Sequence, residues 1–287
     1  KNLNLIVEKN IIFVSDNLGY LYAYDYKKDK VIWAKDYKVP FRSNLKLSNN
    51  SLYAANQNNN LYKFNKKNGE ILKLIPTEET IIKNQFVNSL SLNENYLFFL
   101  NTYGSLYTFQ KNDMKLLWFL NLNQSTDLDP NNLFLGNQIT NHQNTIFASN
   151  SRSFYGINAN NGSVIFKYDF SPSTQPLVIS DYLFLISKNN YLISINIKNG
   201  KLIYSYDLNQ KIADFLNSKK RKANFKKLAL LNNKIFVYLE NSYFLKFDLY
   251  GKLEIIDKLP SKLNSDPIYL SKKIIFLNKK NKIVVIN

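Results

Sequence analysis

The sequence predicts an all-β chain, a β-propeller of four-stranded antiparallel blades, and three observations carry that prediction. A pentapeptide, Leu21-Tyr22-Ala23-Tyr24-Asp25, returns as Leu61-Tyr62-Lys63-Phe64-Asn65, Leu106-Tyr107-Thr108-Phe109-Gln110, Phe154-Tyr155-Gly156-Ile157-Asn158, Leu192-Ile193-Ser194-Ile195-Asn196, Phe244-Leu245-Lys246-Phe247-Asp248 and Ile283-Val284-Val285-Ile286-Asn287. The copies recur roughly every 40 to 50 residues, a period that marks a repeat architecture. Around every copy stand further short apolar runs separated by turn sequences, so each repeat reads as one antiparallel meander. One propeller domain over 1–287 follows, with seven recognisable blades and an eighth possible if the sequence is part of a longer chain.

Within each repeat the elements are justified in chain order. A short, less regular run opens the blade, as in Asn44-Leu45-Lys46-Leu47 and Pro176-Leu177-Val178-Ile179. A strongly apolar run follows, for example Ile11 to Val14 or Leu97 to Leu100, then a polar hairpin turn such as Ser15-Asp16-Asn17-Leu18-Gly19. The pentapeptide is the third strand. Its small or polar centre, Ala23, Thr108, Gly156 or Ser194, suits close sheet packing; Lys63 and Lys246 break that rule and are expected to snorkel to solvent. A second turn, with glycine at Gly69, Gly162, Gly200 and Gly251, supplies positive φ. The fourth strand then carries Trp33, Trp118, Phe166 or Tyr204. The seventh copy has no fourth run after it, so its outermost strand is expected from residues outside this sequence, from another chain, or not at all.

Of 38 basic residues only Arg42, Arg152 and Arg221 are arginines, and the formal net charge is +17. Abundant Lys, Asn, Ile, Tyr and Phe together fit an AT-rich coding sequence, with the charge on solvated faces. The sequence has no cysteine, which excludes disulfides, thiolate nucleophiles and cysteine-ligated metals. It has no apolar run of spanning length. It opens at Lys1, which is read as a trimmed or mature start whose removed leader or lipid anchor would be invisible.

Candidate chemistry is sparse. His142, the single histidine, sits in the polar run Thr140-Asn141-His142-Gln143-Asn144 and reads as a loop residue without a carboxylate partner. Asp127 and Asp129 beside Asn131 and Asn132 could offer oxygens to calcium but lack the glycine and distal glutamate of an EF-hand loop. Glu78, Glu79 and Asp16 read as surface residues. No phosphate-binding or dinucleotide fingerprint occurs, so neither catalysis nor a cofactor is expected. Three stretches exceed the repeat: 76–88, 121–144 and 209–227. The last contains a short helical pattern over 211–216 and the basic run Lys219-Lys220-Arg221-Lys222 with Lys226 and Lys227. Long loops on a rigid scaffold are where binding concentrates.

The motif, the second turn and the aromatic after it, best seen from Leu21 to Trp33, resemble the pyrroloquinoline-quinone-type propeller repeat. Lys73 and Ile255 replace the aromatic in the second and sixth copies, so the interblade tryptophan docking of that family is incomplete. Among proteins with this repeat the chain is similar to the BamB family, outer-membrane assembly lipoproteins with an eight-bladed periplasmic propeller. That resemblance implies a non-catalytic scaffold in outer-membrane β-barrel assembly, periplasmic and peripheral to the outer membrane of a Gram-negative bacterium. It further implies a monomer within a complex, BamA-like periplasmic domains as partner, no nucleic acid, and docking through loops 168–175 and 209–227. The residues expected there are Phe170, Ser171, Arg221 and Phe225; Ser171 or a neighbour stands where the family suggests arginine, and the second loop is basic where acidic residues are expected. Two other readings remain open: a quinone- or calcium-binding, enzyme-like or sensing propeller, and a binder of nucleic acid or anionic surfaces through 219–227.

Overall fold

The computed structural model of the chain describes residues 3–79, 86–123, 134–265, 267–270 and 273–286, and the fold is the β-propeller that the repeat predicts. Among these residues lie seven antiparallel meanders, each with its strands in sequence order; six have four strands and the last has three. Two compact units divide the chain. Unit 1, residues 1–169, holds blades 1 to 4 (3–36, 46–75, 89–121 and 140–168). Unit 2, residues 170–287, holds blades 5 to 7 (177–207, 225–258 and 268–286) and a helix, α1, Leu208–Phe215. Among the described residues no helix is long and apolar enough to cross a membrane.

The turns explain much of the asparagine content. Asp16 accepts from the backbone N–H groups of Leu18 and Tyr20, Asn56 from Asn58 and Asn60, Asn101 from Tyr103 and Ser105, and Asn278 from Lys280 and Lys282. A side-chain oxygen that satisfies two turn N–H groups is the reason Asn and Asp are selected at these positions. Asp16 is therefore a buried turn acceptor, 6% exposed, and not the surface residue its sequence context suggests. The Asp or Asn that ends the pentapeptide does the same at the second turn, as Asp25 does for Lys27 and Lys28 and Asp248 for Tyr250 and Lys252.

Strand alternation gives every blade two apolar faces. In the second strand of blade 2, Ser51–Ala55, Leu52 and Ala54 pack with Phe13, Leu21 and Trp33 of blade 1, while Tyr53 and Ala55 pack with Leu97 and Phe99 of blade 3. In blade 6, Ile235 and Val237 face the cluster shared with blade 5, and Tyr238 faces Leu263 and Phe276. Period-two alternation thus builds cores between consecutive blades within each unit, which is why both strand faces are apolar.

A β-bulge recurs in all six four-stranded blades directly after the pentapeptide centre. The cross-strand pairs at that point are Ala23 with Trp33, Lys63 with Lys73, Thr108 with Trp118, Gly156 with Phe166, Ser194 with Tyr204, and Lys246 with Ile255. Where the fourth strand offers an aromatic, the centre is small; where it does not, the centre is lysine. Bulges re-aim the side chain beside them, and the consequence is a key fitted into the next blade. Trp33 Nε1 donates to the Lys66 carbonyl at 3.0 Å, Trp118 Nε1 to the Ala159 carbonyl at 3.0 Å, and the Tyr204 hydroxyl to the Leu249 carbonyl at 3.1 Å.

The turn that receives an aromatic carries glycine. A Cβ on Gly69 would lie 2.8 Å from the Trp33 ring, and one on Gly162 2.7 Å from the Trp118 ring. Lys63 corrects the snorkelling expectation: its ammonium donates to the Lys111 and Asn112 carbonyls at 3.2 and 2.7 Å, in the blade 3 turn equivalent to the one Trp33 reaches. That turn has Met114 in place of glycine, at φ +61° and 4% exposed. Burial pushes the Lys63 ammonium below its usual range, with Asp113 acting in the opposite sense. Lys246 likewise does not simply reach for water but lies 3.6 Å from the Glu254 carboxylate.

Candidate functional site

The four sequence-predicted binding residues all fall in unit 2, in two segments that border one hairpin turn. Phe170 and Ser171 open the link into blade 5. That link is a repeated structural element and not a free loop: Pro172 bridges Ser187 as Phe41 bridges Asn56 and Leu263 bridges Asn278. A hydroxyl two residues on then accepts from the second strand, Ser43 from Ala55 N, Thr174 from Ile186 N and Ser265 from Leu277 N. Ser171 is buried at 6%, and its carbonyl accepts from the Lys188 N–H at 2.9 Å; Phe170 is half-buried. The recurring Ser or Thr at 43, 174 and 265 was the available signal for this element.

The second segment begins where the fourth strand of blade 5, Leu202–Asp207, ends. Asp207 caps α1, its carboxylate accepting from the Asn209 and Gln210 N–H groups at 2.9 and 3.2 Å. Leu208 and Ala213 are buried, and Leu208, Ile212, Ala223 and Phe225 contribute to the core between blades 5 and 6. After α1 a strap, residues 216–224, is pinned at several points. Ser218 N donates to the Ala213 carbonyl, Lys220 Nζ lies 2.6 Å from Asp207, and Ala223 N donates to the Asn209 side chain at 2.8 Å. Burial of Asp207 opposes its charge, but the Lys220 ammonium and the helix N–H groups outweigh that and hold its carboxyl below the usual range.

The structure lengthens the expected helix, which spans Leu208–Phe215 where the sequence pattern indicated 211–216, and shortens the expected loop. The first strand of blade 6 starts at Phe225, so Phe225, Lys226 and Lys227 lie on Phe225–Leu231. Phe225 is half-buried against the core, and Lys226 Nζ donates to the Leu263 carbonyl at 2.7 Å. Arg221 is exposed on the strap.

What joins the two segments is the blade 5 hairpin turn 187–190, which sequence reasoning passed over. Lys188 N reaches Ser171; Asn190 Oδ1's partner nitrogen, Nδ2, reaches the Ala223 carbonyl at 3.4 Å, and the Asn190 carbonyl accepts from Leu208 N at 3.0 Å. The link, the turn and the strap therefore form one continuous surface of unit 2. Its signal in the sequence was only a short polar turn like six others.

The remaining candidates fall elsewhere. His142 lies on a strand, Thr140–His142, and not in a loop; its Nε2 is buried without a hydrogen-bond partner. Glu78, although exposed by area, has its carboxylate in a donor cluster: Asn101 Nδ2 at 2.6 Å, Ser105 Oγ at 2.9 Å and the Tyr107 hydroxyl. Burial raises its pKa, but those donors prevail and lower it. Asp127, Asp129, Asn131 and Asn132 lie outside the described residues. Among the described residues no group of three or more His, Asp or Glu side chains is placed to hold a metal ion.

Comparison with known proteins adds the family. No curated protein matches the sequence. The crystal structure of BamB from Moraxella catarrhalis is similar at a TM-score of 0.77 and 10% identity, covering 99% of this chain and 83% of that one. The computationally designed Ika8 protein is similar at a TM-score of 0.61 and 11% identity, covering 98% of this chain and 94% of the other. These likenesses concern the fold. A family model described as outer membrane protein assembly factor BamB matches residues 4–72 and 102–287, and on that match the chain belongs to the BamB family.

Proposed function

We propose that the protein is a non-catalytic, periplasmic scaffold of outer-membrane β-barrel assembly that docks BamA-like periplasmic domains, itself a monomer within that complex. Family membership supports the role, and the observation that carries the site is the convergence of link, hairpin turn and strap at Lys188 and Asn190. A rigid sandwich of blades beneath three adjoining segments suits shape-complementary docking, with Phe170 and Arg221 at the contact and Ser171 and Phe225 supporting the backbone around them. Arg221 is the strap's contribution to that contact, and charge at such a contact acts mainly on the rate of encounter.

The test is binding of the chain to the periplasmic domains of the BamA homologue of its own genome at two salt concentrations. Saturable binding weakened at least tenfold by Phe170→Ala and by Arg221→Ser is the expected result, about the 1.4 kcal/mol that one decade in affinity represents. Absence of binding at both salt concentrations, with the chain folded, removes the assigned role.

A further inference from the structure

We propose that the ridge from Phe215 to Lys222 seats the protein on an anionic lipid bilayer, with Phe215 and Leu216 entering the headgroup layer and Lys219 and Lys222 meeting lipid phosphates. This goes beyond the protein-docking reading and does not depend on it. Nine consecutive residues, Asp214 to Lys222, are exposed. At the C-terminal end of α1 two large apolar side chains stand next to each other in water, Phe215 at 44% and Leu216 at 54% exposure. Immediately after them come Lys219, Lys220, Arg221 and Lys222. Asp214, just before the ridge, is the one acid among those nine residues, and it accepts from the Gln210 side chain at 2.8 Å.

Two features favour a lipid surface over other polyanions. Every residue of the ridge is exposed, which suits a flat and fluid partner better than a groove-bound peptide, and an apolar pair beside a basic cluster is the pattern of interfacial anchoring. A single-stranded nucleic acid stacks successive bases on several aromatic faces, whereas the ridge offers one exposed ring, Phe215, and the next, Phe225, is half-buried on its strand. The ridge is also held in place for such contact. Lys220 is tied to Asp207, and Ala223 is tied to Asn209 and Asn190, so Lys219 and Lys222 are presented from a fixed backbone with little ordering left to lose on binding.

The experiment is co-sedimentation of the full chain with vesicles of phosphatidylcholine alone or with about one-third phosphatidylglycerol, in low and in high salt. Wild-type chain is expected on the anionic vesicles only. Lys219→Ser/Lys222→Ser should lower its partition coefficient about 30-fold, and Phe215→Ser/Leu216→Ser should lower it as well. The same charge removed at the opposite end of the fourth strand of blade 5, Lys198→Ser/Lys201→Ser, should change it less than about threefold, because the six residues of Leu202–Asp207 span about 20 Å, beyond the screening length. Both lysine variants should melt with the wild type, since exposed substitutions of this kind stay within about 0.5 kcal/mol. Equal losses from the two lysine pairs would show adhesion by net charge and overturn the proposal. So would binding to soluble polyglutamate without binding to anionic vesicles, which would mark an acidic protein segment as the ligand.

Discussion

Gly69→Ala tests the keyed junction between blades 1 and 2, because its cost has two separable parts. The residue sits at φ +73°, where any side chain costs about 1 to 2 kcal/mol. Its new Cβ would also lie 2.8 Å from Cε3 and Cζ3 of Trp33, well inside the roughly 3.5 to 4.0 Å of a good carbon contact. Trp33 cannot easily yield: it is 9% exposed, packs near Phe13 and is fixed by its bond to the Lys66 carbonyl. Overpacking of this kind costs about 1 to 3 kcal/mol. Gly69→Ala should therefore lose about 2 to 5 kcal/mol in total, the sum of the backbone and packing parts. Trp33→Ala alone should lose about 3 to 5 kcal/mol through its cavity. In the double variant the collision is gone, and Gly69→Ala should cost only the backbone part, leaving a coupling of about 1 to 3 kcal/mol. Urea denaturation of the four proteins, compared at their midpoints, reads this directly. An identical penalty for Gly69→Ala in both backgrounds would refute the argument that the docked ring, and not the turn alone, demands glycine.

Two further predictions address the other junctions. Lys63→Met should destabilise by about 0.5 to 1.5 kcal/mol by removing the donor to the Asn112 carbonyl and one of the two donors to the Lys111 carbonyl, the other being the Tyr53 hydroxyl; the alternative set Lys63→Ala, Lys73→Trp and Met114→Gly should instead rebuild the aromatic type of junction and recover most of the loss, again read by urea midpoints. Asp207→Ala should cost about 0.5 to 2 kcal/mol as a lost cap and raise proteolytic cutting within 216–224. Because the folded-state pKa of Asp207 is depressed, its contribution is present above the unfolded carboxyl value, about 3.9, and is lost as pH falls through the folded value. The wild-type strap should accordingly become protease-sensitive only in strong acid, and the variant should be sensitive at all pH values.

The repeat was legible because one strand per blade repeats its chemistry almost unchanged. Leu21, Leu61 and Leu106 are each fully buried, and a position that packs on two blades tolerates little variation. The junctions were legible only in part. A lysine at 63 looks like an error in an apolar strand until its partner strand, with Lys73 where Trp33 stands in blade 1, is placed opposite it. Sequence order does not announce which residues face each other across a bulge. The site was less legible still. Phe225 looked like a loop aromatic because nothing local marks the start of its strand, and its pairing with Leu239 is set by the whole of blade 6. The Lys188–Asn190 turn was invisible as a site residue because its importance lies in what folds against it.

The aromatic keys also give the molecule a direction of assembly. Trp33 finds its acceptor 33 residues downstream, Trp118 41 and Tyr204 45. Each of these three blades is thus keyed into the one made after it, across a loop closure of modest length. A chain emerging from its N-terminus can bury each indole as soon as one more repeat is available, so folding propagates by nearest-neighbour addition. The same polarity means that an interruption during synthesis just after one of these three strands leaves its aromatic unsealed at the growing end.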